Sequence, residues 1–203
     1  MWIALQLGAA PAAGGGERGV VDYVPDGDTV ILTDGRHVRY IGIDAPEIDH
    51  ERHQAEPYGY KARQCNRRLI GESAVLMRFD RQKRDRYGRC LAYVYTADGQ
   101  RLVNQVLLEK GLAYCLFIPP NVKYAATFLK SQQNAMQLHQ GMWRTMKKHK
   151  ALYVGNRRSR RFHHPDCPFA AKISPQNRVV FASRWQAFHQ GYAPCKKCRS
   201  AVP

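Results

Sequence analysis

The sequence predicts an α+β protein: a closed barrel of five short strands with about three helices, followed by a small second α+β domain. Three observations carry that expectation. Five β-rich runs in the first half of the chain are separated by turn residues. A stretch of helical period lies between the third and fourth runs. The C-terminal quarter changes abruptly in charge and gains clustered cysteines and histidines. At 203 residues the chain is long enough for one domain and a small second one, and 44% hydrophobic residues can bury a core. No apolar run is long enough to span a membrane, so stable membrane insertion is not expected.

The N-terminus, "MWIALQLGAAPAAGGGER", is apolar, then small, then glycine-rich. Residues 1–17 read as the remnant of a signal peptide, or alternatively as a disordered leader. The first option implies a secreted or periplasmic protein. "GVVDYV" reads as a strand, "PDGD" as a turn and "TVILT" as a second strand. Asp34–Gly35 is a hairpin signal, and "RHVRYIGI" is the third strand. Tyr58, Ala62, Cys65 and Leu69 then recur on one helix face. "AVLMRF" and "CLAYVY" are two further strands, separated by the polar stretch "DRQKRDRYGR". Val103, Val106 and Leu107 mark a helix that Gly111 can end; Ala125, Phe128, Gln132, Ala135 and Met136 mark another. Five short strands with a helix between the third and fourth fit the OB-fold barrel.

The formal charge is +16, from 32 Lys and Arg against 16 Asp and Glu, which favours anionic partners such as nucleic acid. Residues 146–203 hold 13 basic residues and one acid, Asp166, a net of +12; residues 1–145 carry only +4. So large a shift implies two units, 18–145 and 153–203, joined by a basic linker over 146–152. The wider stretch from Arg144 to Arg161 contains eight basic residues, and is either a solvated joint or a phosphate-contacting strip.

Within the first unit, "RYIGIDAPE" places Arg39, Asp44 and Glu47 at the ends of a segment that is otherwise apolar. The strand buries Ile41 and Ile43, so its ends emerge where loops gather. "DGDTV" brings Asp26 and Asp28 to the start of the second strand, and "DRYGR" brings Arg89 to the start of the fifth.

"VPDGDTVIL", "RYIGIDAPE", "YGYKA", "RDRYGRCLAYVY" and "VNQVLLEKGLAY" together resemble the staphylococcal (micrococcal) nuclease family, in order and approximate spacing, over about residues 19–143. The resemblance implies a calcium ion held by Asp28, Asp44 and the backbone carbonyl of Ala45. It implies Glu47 as general base and Arg39 and Arg89 on the scissile phosphate. Arg86, Tyr87 and Phe117 fall on the substrate side. Ala45 stands where the best-known member has threonine; a carbonyl ligand does not need that side chain. The chemistry is coherent. Hydrolysis of a phosphodiester builds negative charge on the phosphoryl oxygens, which a hard cation and two guanidinium groups can neutralise while a carboxylate takes a proton from water.

In the second unit, "FHHPDC" and "PCKKC" leave 27 residues between Cys167 and Cys195. A Cys-x-x-Cys knuckle with a His/Cys pair upstream is metal-ligand spacing, and about 50 residues rarely fold without such support. A disulfide between Cys195 and Cys198 is the alternative outside the cell. Residues 153–198 resemble the zinc-binding domain of the Ada methylphosphotriester repair proteins. That resemblance implies His163, Cys167, Cys195 and Cys198 as zinc ligands, with His164 competing for the first position. In the repair proteins a methyl-accepting cysteine stands there, so the repair activity does not carry over. Cys65, Cys90 and Cys115 read as buried thiols.

The expectation is a monomeric, calcium-dependent, sugar-non-specific nuclease acting on DNA and/or RNA and leaving 3′-phosphates, with a zinc module that helps hold nucleic acid. The alternatives are a non-catalytic nucleic-acid-binding protein and a DNA repair or regulatory protein. All five proposed catalytic side chains fall in residues 18–145, so that unit is expected to act alone.

Overall fold

The computed structural model describes residues 15–52, 54–71, 73–146 and 151–198. Residues 1–14 of the expected leader and 147–150 of the expected linker lie outside them, as do His53 and His149.

The chain begins with β1 (Glu17–Tyr23), β2 (Thr29–Leu32) and β3 (His37–Tyr40). The expected long third strand is broken. Gly42 has φ +82°, and a Cβ there would lie 2.8 Å from the Phe128 ring, so the chain kinks and restarts as β4 (Gly42–Asp44). A two-residue ladder, β5 (Ile48–Asp49) with β6 (Gln54–Ala55), leads into α1 (Gly59–Ile70). Then come β7 (Ala74–Arg78), β8 (Cys90–Tyr95) and α2 (Val103–Glu109). A strand that the sequence did not announce, β9 (Tyr114–Leu116), precedes α3 (Ala125–Gln137).

The five expected strands close into a barrel in the order β1-β2-β3-β8-β7. All neighbours are antiparallel except β3 and β8, which run parallel with Val38 opposite Cys90. Closure leaves the barrel no free edge. Val30, Val38, Val75, Met77, Ala92 and Val94 fill it, each fully buried. β4 pairs outside the barrel with β9, Ile43 opposite Cys115 and Asp44 opposite Tyr114. That pairing carries the chain away from the barrel at Asp44.

The second unit has a four-stranded sheet, in the order 178–181, 153–156, 161–163, 193–194. It comprises β10 (Tyr153–Asn156), β11 (Arg161–His163), α4 (Pro168–Ala171), β12 (Arg178–Phe181), α5 (Arg184–His189) and β13 (Ala193–Pro194). Its core does not stand apart. One cluster of buried side chains joins Tyr114, Leu116, Met136 and Trp143 of the first unit to Tyr153, Phe162, Phe181 and Phe188 of the second. The rings of Trp143 and Phe188 lie 5.1 Å apart, nearly perpendicular, and Tyr114 lies 5.3 Å from Phe188. Gln132 of α3 is fully buried between the units: its side-chain oxygen accepts from the Cys115 N–H, and its amide donates to the Phe188 carbonyl, both at 2.6 Å. No helix among the described residues is long and apolar enough to cross a membrane.

Candidate active site

A cavity of about 570 Å³ opens where the barrel strands, the loop after β7 and the second unit meet. Asp28, Arg39, Asp44, Glu47, Arg86, Tyr87 and Arg89 all line it. The structure thus brings seven of the expected residues together from three stretches of chain, at 28, 39–47 and 86–89. A shallower groove along α1 is lined by Tyr60, Lys61, Arg63, Arg67 and Arg68, with no acid among the described residues of its walls.

At the cavity floor, the turn before β2 and the end of β4 present Asp28 and Asp44 to Arg39 of β3. Arg39 Nη2 lies 2.5 Å from Asp44 Oδ1 and 3.1 Å from Asp28 Oδ2. Its Nη1 donates to the carbonyls of Tyr40 and Ile43, each at 2.9 Å. Asp28 also accepts from the Ala45 N–H at 2.5 Å and from the Thr29 hydroxyl at 3.2 Å. Tyr114 donates its hydroxyl to Asp44 Oδ2 at 2.9 Å, which fixes the second carboxylate from β9.

The charge count at this floor is unbalanced. Burial, reinforced by Asp26 and Asp44 and opposed by Arg39, pushes the Asp28 carboxyl up to about 8. Burial opposes the Arg39 charge as well, yet the Asp28 and Asp44 carboxylates outweigh it and hold the guanidinium charged. One cation faces three carboxyl groups, Asp26, Asp28 and Asp44. Oxygen donors in negative surplus are the chemistry of a hard divalent ion, and Asp28 and Asp44 fit calcium on that ground. Ala45 is 3% exposed and does not line the cavity.

On the opposite wall the loop 80–89 is folded around Asp85. Its carboxylate accepts from the backbone N–H groups of Tyr87 and Arg89 and from Arg89 Nε, the last at 2.8 Å. Arg89 is thereby aimed before β8 begins. Tyr87 is 69% exposed, with Arg86 4.8 Å from its ring centre. An exposed ring flanked by guanidinium groups suits a nucleotide base and its phosphate.

Phe117 requires correction. Expected on the substrate side, it is 7% exposed and packs in the barrel core cluster, not on the cavity. The chain is extended from β9 onward, so alternate side chains point opposite ways. Leu116 and Ile118 reach the cavity and Phe117 turns inward.

The sequence reading missed four residues. Asp85 was legible in principle, four positions before Arg89. Tyr114 carried no signal, because its strand pairing is long-range. Arg161 and Lys196 come from the second unit yet line the same cavity, and Lys196 Nζ lies 3.2 Å from Glu47 Oε1.

The second cluster is a metal-ligand set. Ligand atoms of His163, Cys167, Cys195 and Cys198 all lie within 4.8 Å of one another, and all four residues are buried. Two thiolates on tetrahedral zinc stand about 3.8 Å apart, so small side-chain rotations suffice to close the set. Burial, reinforced by the nearby Arg161 charge, holds the His163 imidazole below its usual range. A neutral ring keeps a lone pair for a metal. All six cysteines are free thiols, so Cys195 and Cys198 form no disulfide. His164 is outside the set and pairs with Asp166 at 3.2 Å. The residues fit zinc.

A five-stranded barrel whose cleft combines paired carboxylates, two arginines and an exposed tyrosine defines a phosphodiester-cleaving hydrolase, a nuclease. Comparison with known proteins names the family. The staphylococcal nuclease homologue family matches residues 37–145, more than half of the chain, and the chain belongs to it. The metal binding domain of Ada matches residues 142–200. The thermonuclease of Staphylococcus hyicus is 37% identical over 123 residues, covering 59% of this chain and 72% of its own length. That of Staphylococcus intermedius is 37% identical over 131 residues, covering 63% and 77%. Endonuclease YncB of Bacillus subtilis is 36% identical over 142 residues, covering 68% and 64%.

Proposed function

We propose that the protein is a calcium-dependent nuclease that hydrolyses phosphodiester bonds of both DNA and RNA and leaves 3′-phosphates, with a zinc-bearing C-terminal module that helps to hold the nucleic acid. The observation that carries this reading is the convergence of Asp28, Arg39, Asp44, Glu47 and Arg89 on one cavity.

Asp28, Asp44 and the Ala45 carbonyl would hold the calcium ion, which supplies charge neutralisation at the phosphoryl oxygens when bound. Glu47 takes a proton from the attacking water as its oxygen bonds to phosphorus; the bond from phosphorus to the 5′-oxygen breaks, and that oxygen takes up a proton from solvent. Arg39 and Arg89 donate to the phosphoryl oxygens, and donate more strongly as charge builds there. Tyr87 stacks on a base while Arg86 contacts a neighbouring phosphate. Stacking and phosphate contacts read neither base identity nor the sugar 2′-hydroxyl, which supports sugar-non-specific cleavage. His163, Cys167, Cys195 and Cys198 would hold zinc, which folds the knuckle.

The test is digestion of end-labelled DNA and RNA in calcium, magnesium or chelator, with product ends identified by mass spectrometry. Calcium-dependent release of 3′-phosphates from both is expected. Undiminished cleavage in a calcium chelator, or 5′-phosphate products, would defeat the proposal.

A further inference from the structure

The cleft is not built by the barrel alone. Arg161 and Lys196 line it together with Asp28, Arg39, Glu47 and Arg89, though Lys196 is 149 residues from Glu47 in sequence. Both cations are held by the metal-ligand knuckle. Arg161 lies two positions before His163 on β11, and its Nη1 donates to the Pro194 carbonyl at 2.8 Å. β11 and β13 pair in parallel, Arg161 opposite Ala193 and Phe162 opposite Pro194, and the Cys195 N–H donates to the Phe162 carbonyl. Lys196 follows Cys195 directly. The shared core and the Gln132 bridge then fix the knuckle against the barrel.

The two barrel arginines already have anionic neighbours, Arg39 with Asp28 and Asp44 and Arg89 with Asp85. Arg161 and Lys196 add positive charge to the cleft beyond that of the two barrel arginines. We propose that Arg161 and Lys196 form a further phosphate-binding subsite, supplied by the C-terminal module, that grips a phosphate flanking the scissile one. The inference rests on the nuclease reading and names a specificity device within it: substrates long enough to carry a flanking phosphate are preferred. The pairing of Lys196 with Glu47 does not oppose this. Both groups are about half or more exposed, and such a pair is worth about 0–1 kcal/mol. An incoming phosphate exchanges for the carboxylate at little cost.

The experiment compares wild type, Lys196→Ala, Arg161→Ala and the double variant on a single-stranded octanucleotide and on a dinucleoside monophosphate. Lys197→Ala is the control: it removes the same charge one residue further on, away from the cavity. Each cleft variant is expected to raise KM for the octanucleotide by about tenfold, with kcat within about twofold and little change on the dinucleoside. Fluorescence anisotropy of the octanucleotide without divalent cation should show weaker binding and a shallower salt dependence, by about 0.7 in slope for each phosphate no longer neutralised. Lys197→Ala should change neither. Zinc content is measured for every variant. Should Arg161→Ala lose zinc, the exposed Lys196→Ala decides alone. Unchanged KM and salt slope in Lys196→Ala would overturn the proposal. So would a rise in kcat at constant KM, which would make Lys196 a brake on Glu47. Equal losses on both substrates would overturn it too. Failure of the nuclease reading has a separate signature: wild type would cleave neither substrate, while anisotropy would still report the two cations.

Discussion

Gln132→Leu tests whether the two units form one cooperative structure. The Gln132 side chain is fully buried and satisfies one backbone group from each side, the Cys115 N–H of β9 and the Phe188 carbonyl of α5. Leucine has similar bulk and no polar atoms, so the substitution orphans both groups without opening a large cavity. Each orphaned buried group costs about 1–3 kcal/mol. Removing the buried amide itself recovers part of that, leaving an expected loss of about 3–4 kcal/mol. For a chain of this size that is a fall in melting temperature of about 6–16 °C. Gln133→Leu is the matched control, because Gln133 bonds the His189 carbonyl at a partly exposed site and should cost about 0.5 kcal/mol. Denaturation would be followed by tryptophan fluorescence, which reports Trp143 and Trp185 at the junction, and by a barrel-sensitive circular dichroism signal. The two probes should move together. A loss below 1 kcal/mol in Gln132→Leu, or a loss equal to that of Gln133→Leu, would refute the bridging argument.

Four further outcomes are expected. Arg39→Ala and Arg89→Ala should each lower kcat at least a hundredfold, the effect of losing one donor of about 3 kcal/mol to a developing oxyanion, as read by steady-state cleavage. Asp28→Asn should abolish calcium-dependent cleavage while the melting temperature holds or rises, since burial already penalises the Asp28 charge; calorimetry checks this. Ala45→Thr, silent if only the backbone carbonyl mattered, should instead destabilise by about 1–3 kcal/mol in urea titration, because Ala45 is 3% exposed within the core. Truncation after Thr145 should yield a chain that melts well below the full-length protein or aggregates, because it uncovers Trp143 and Met136, both fully buried.

The barrel was legible because its elements are local. Alternating apolar residues, the Asp34–Gly35 turn and the α1 face at Tyr58, Ala62, Cys65 and Leu69 each lie within a window of a dozen residues. The break at Gly42 was not legible. A glycine in a β-rich run reads as a weak strand position, and only the Phe128 ring, 86 residues later, makes its positive φ necessary. β9 was hidden for the same reason. "YCL" has no turn signal of its own and becomes a strand because β4 leaves the barrel and needs a partner. Phe117 was misplaced by reasoning from position in sequence. The alternation of an extended chain decides which of Leu116, Phe117 and Ile118 meets the cavity, and that phase was fixed by a strand not foreseen.

The division into units shows a deeper limit of composition. A net charge of +12 over residues 146–203 reads as a separate nucleic-acid-binding appendage, and the cysteine spacing reads as a self-contained metal fold. Both features are local, and neither says which face of the module is apolar enough to dock. Tyr153, Phe162, Phe181 and Phe188 supply that face, and their spacing matches no single period because they come from three strands and a helix. Once they are packed on Tyr114 and Met136, the remaining orientation follows. β11 and β13 run beside the cleft, and the basic residues next to the metal ligands face the same space as the barrel's carboxylates. Lys196 is surplus charge in the sequence; in the fold it is 3.2 Å from the carboxylate assigned to activate water. If zinc closes the His163, Cys167, Cys195 and Cys198 set as proposed, the same ion that folds the knuckle also positions Arg161 and Lys196, and its removal should weaken substrate grip together with stability.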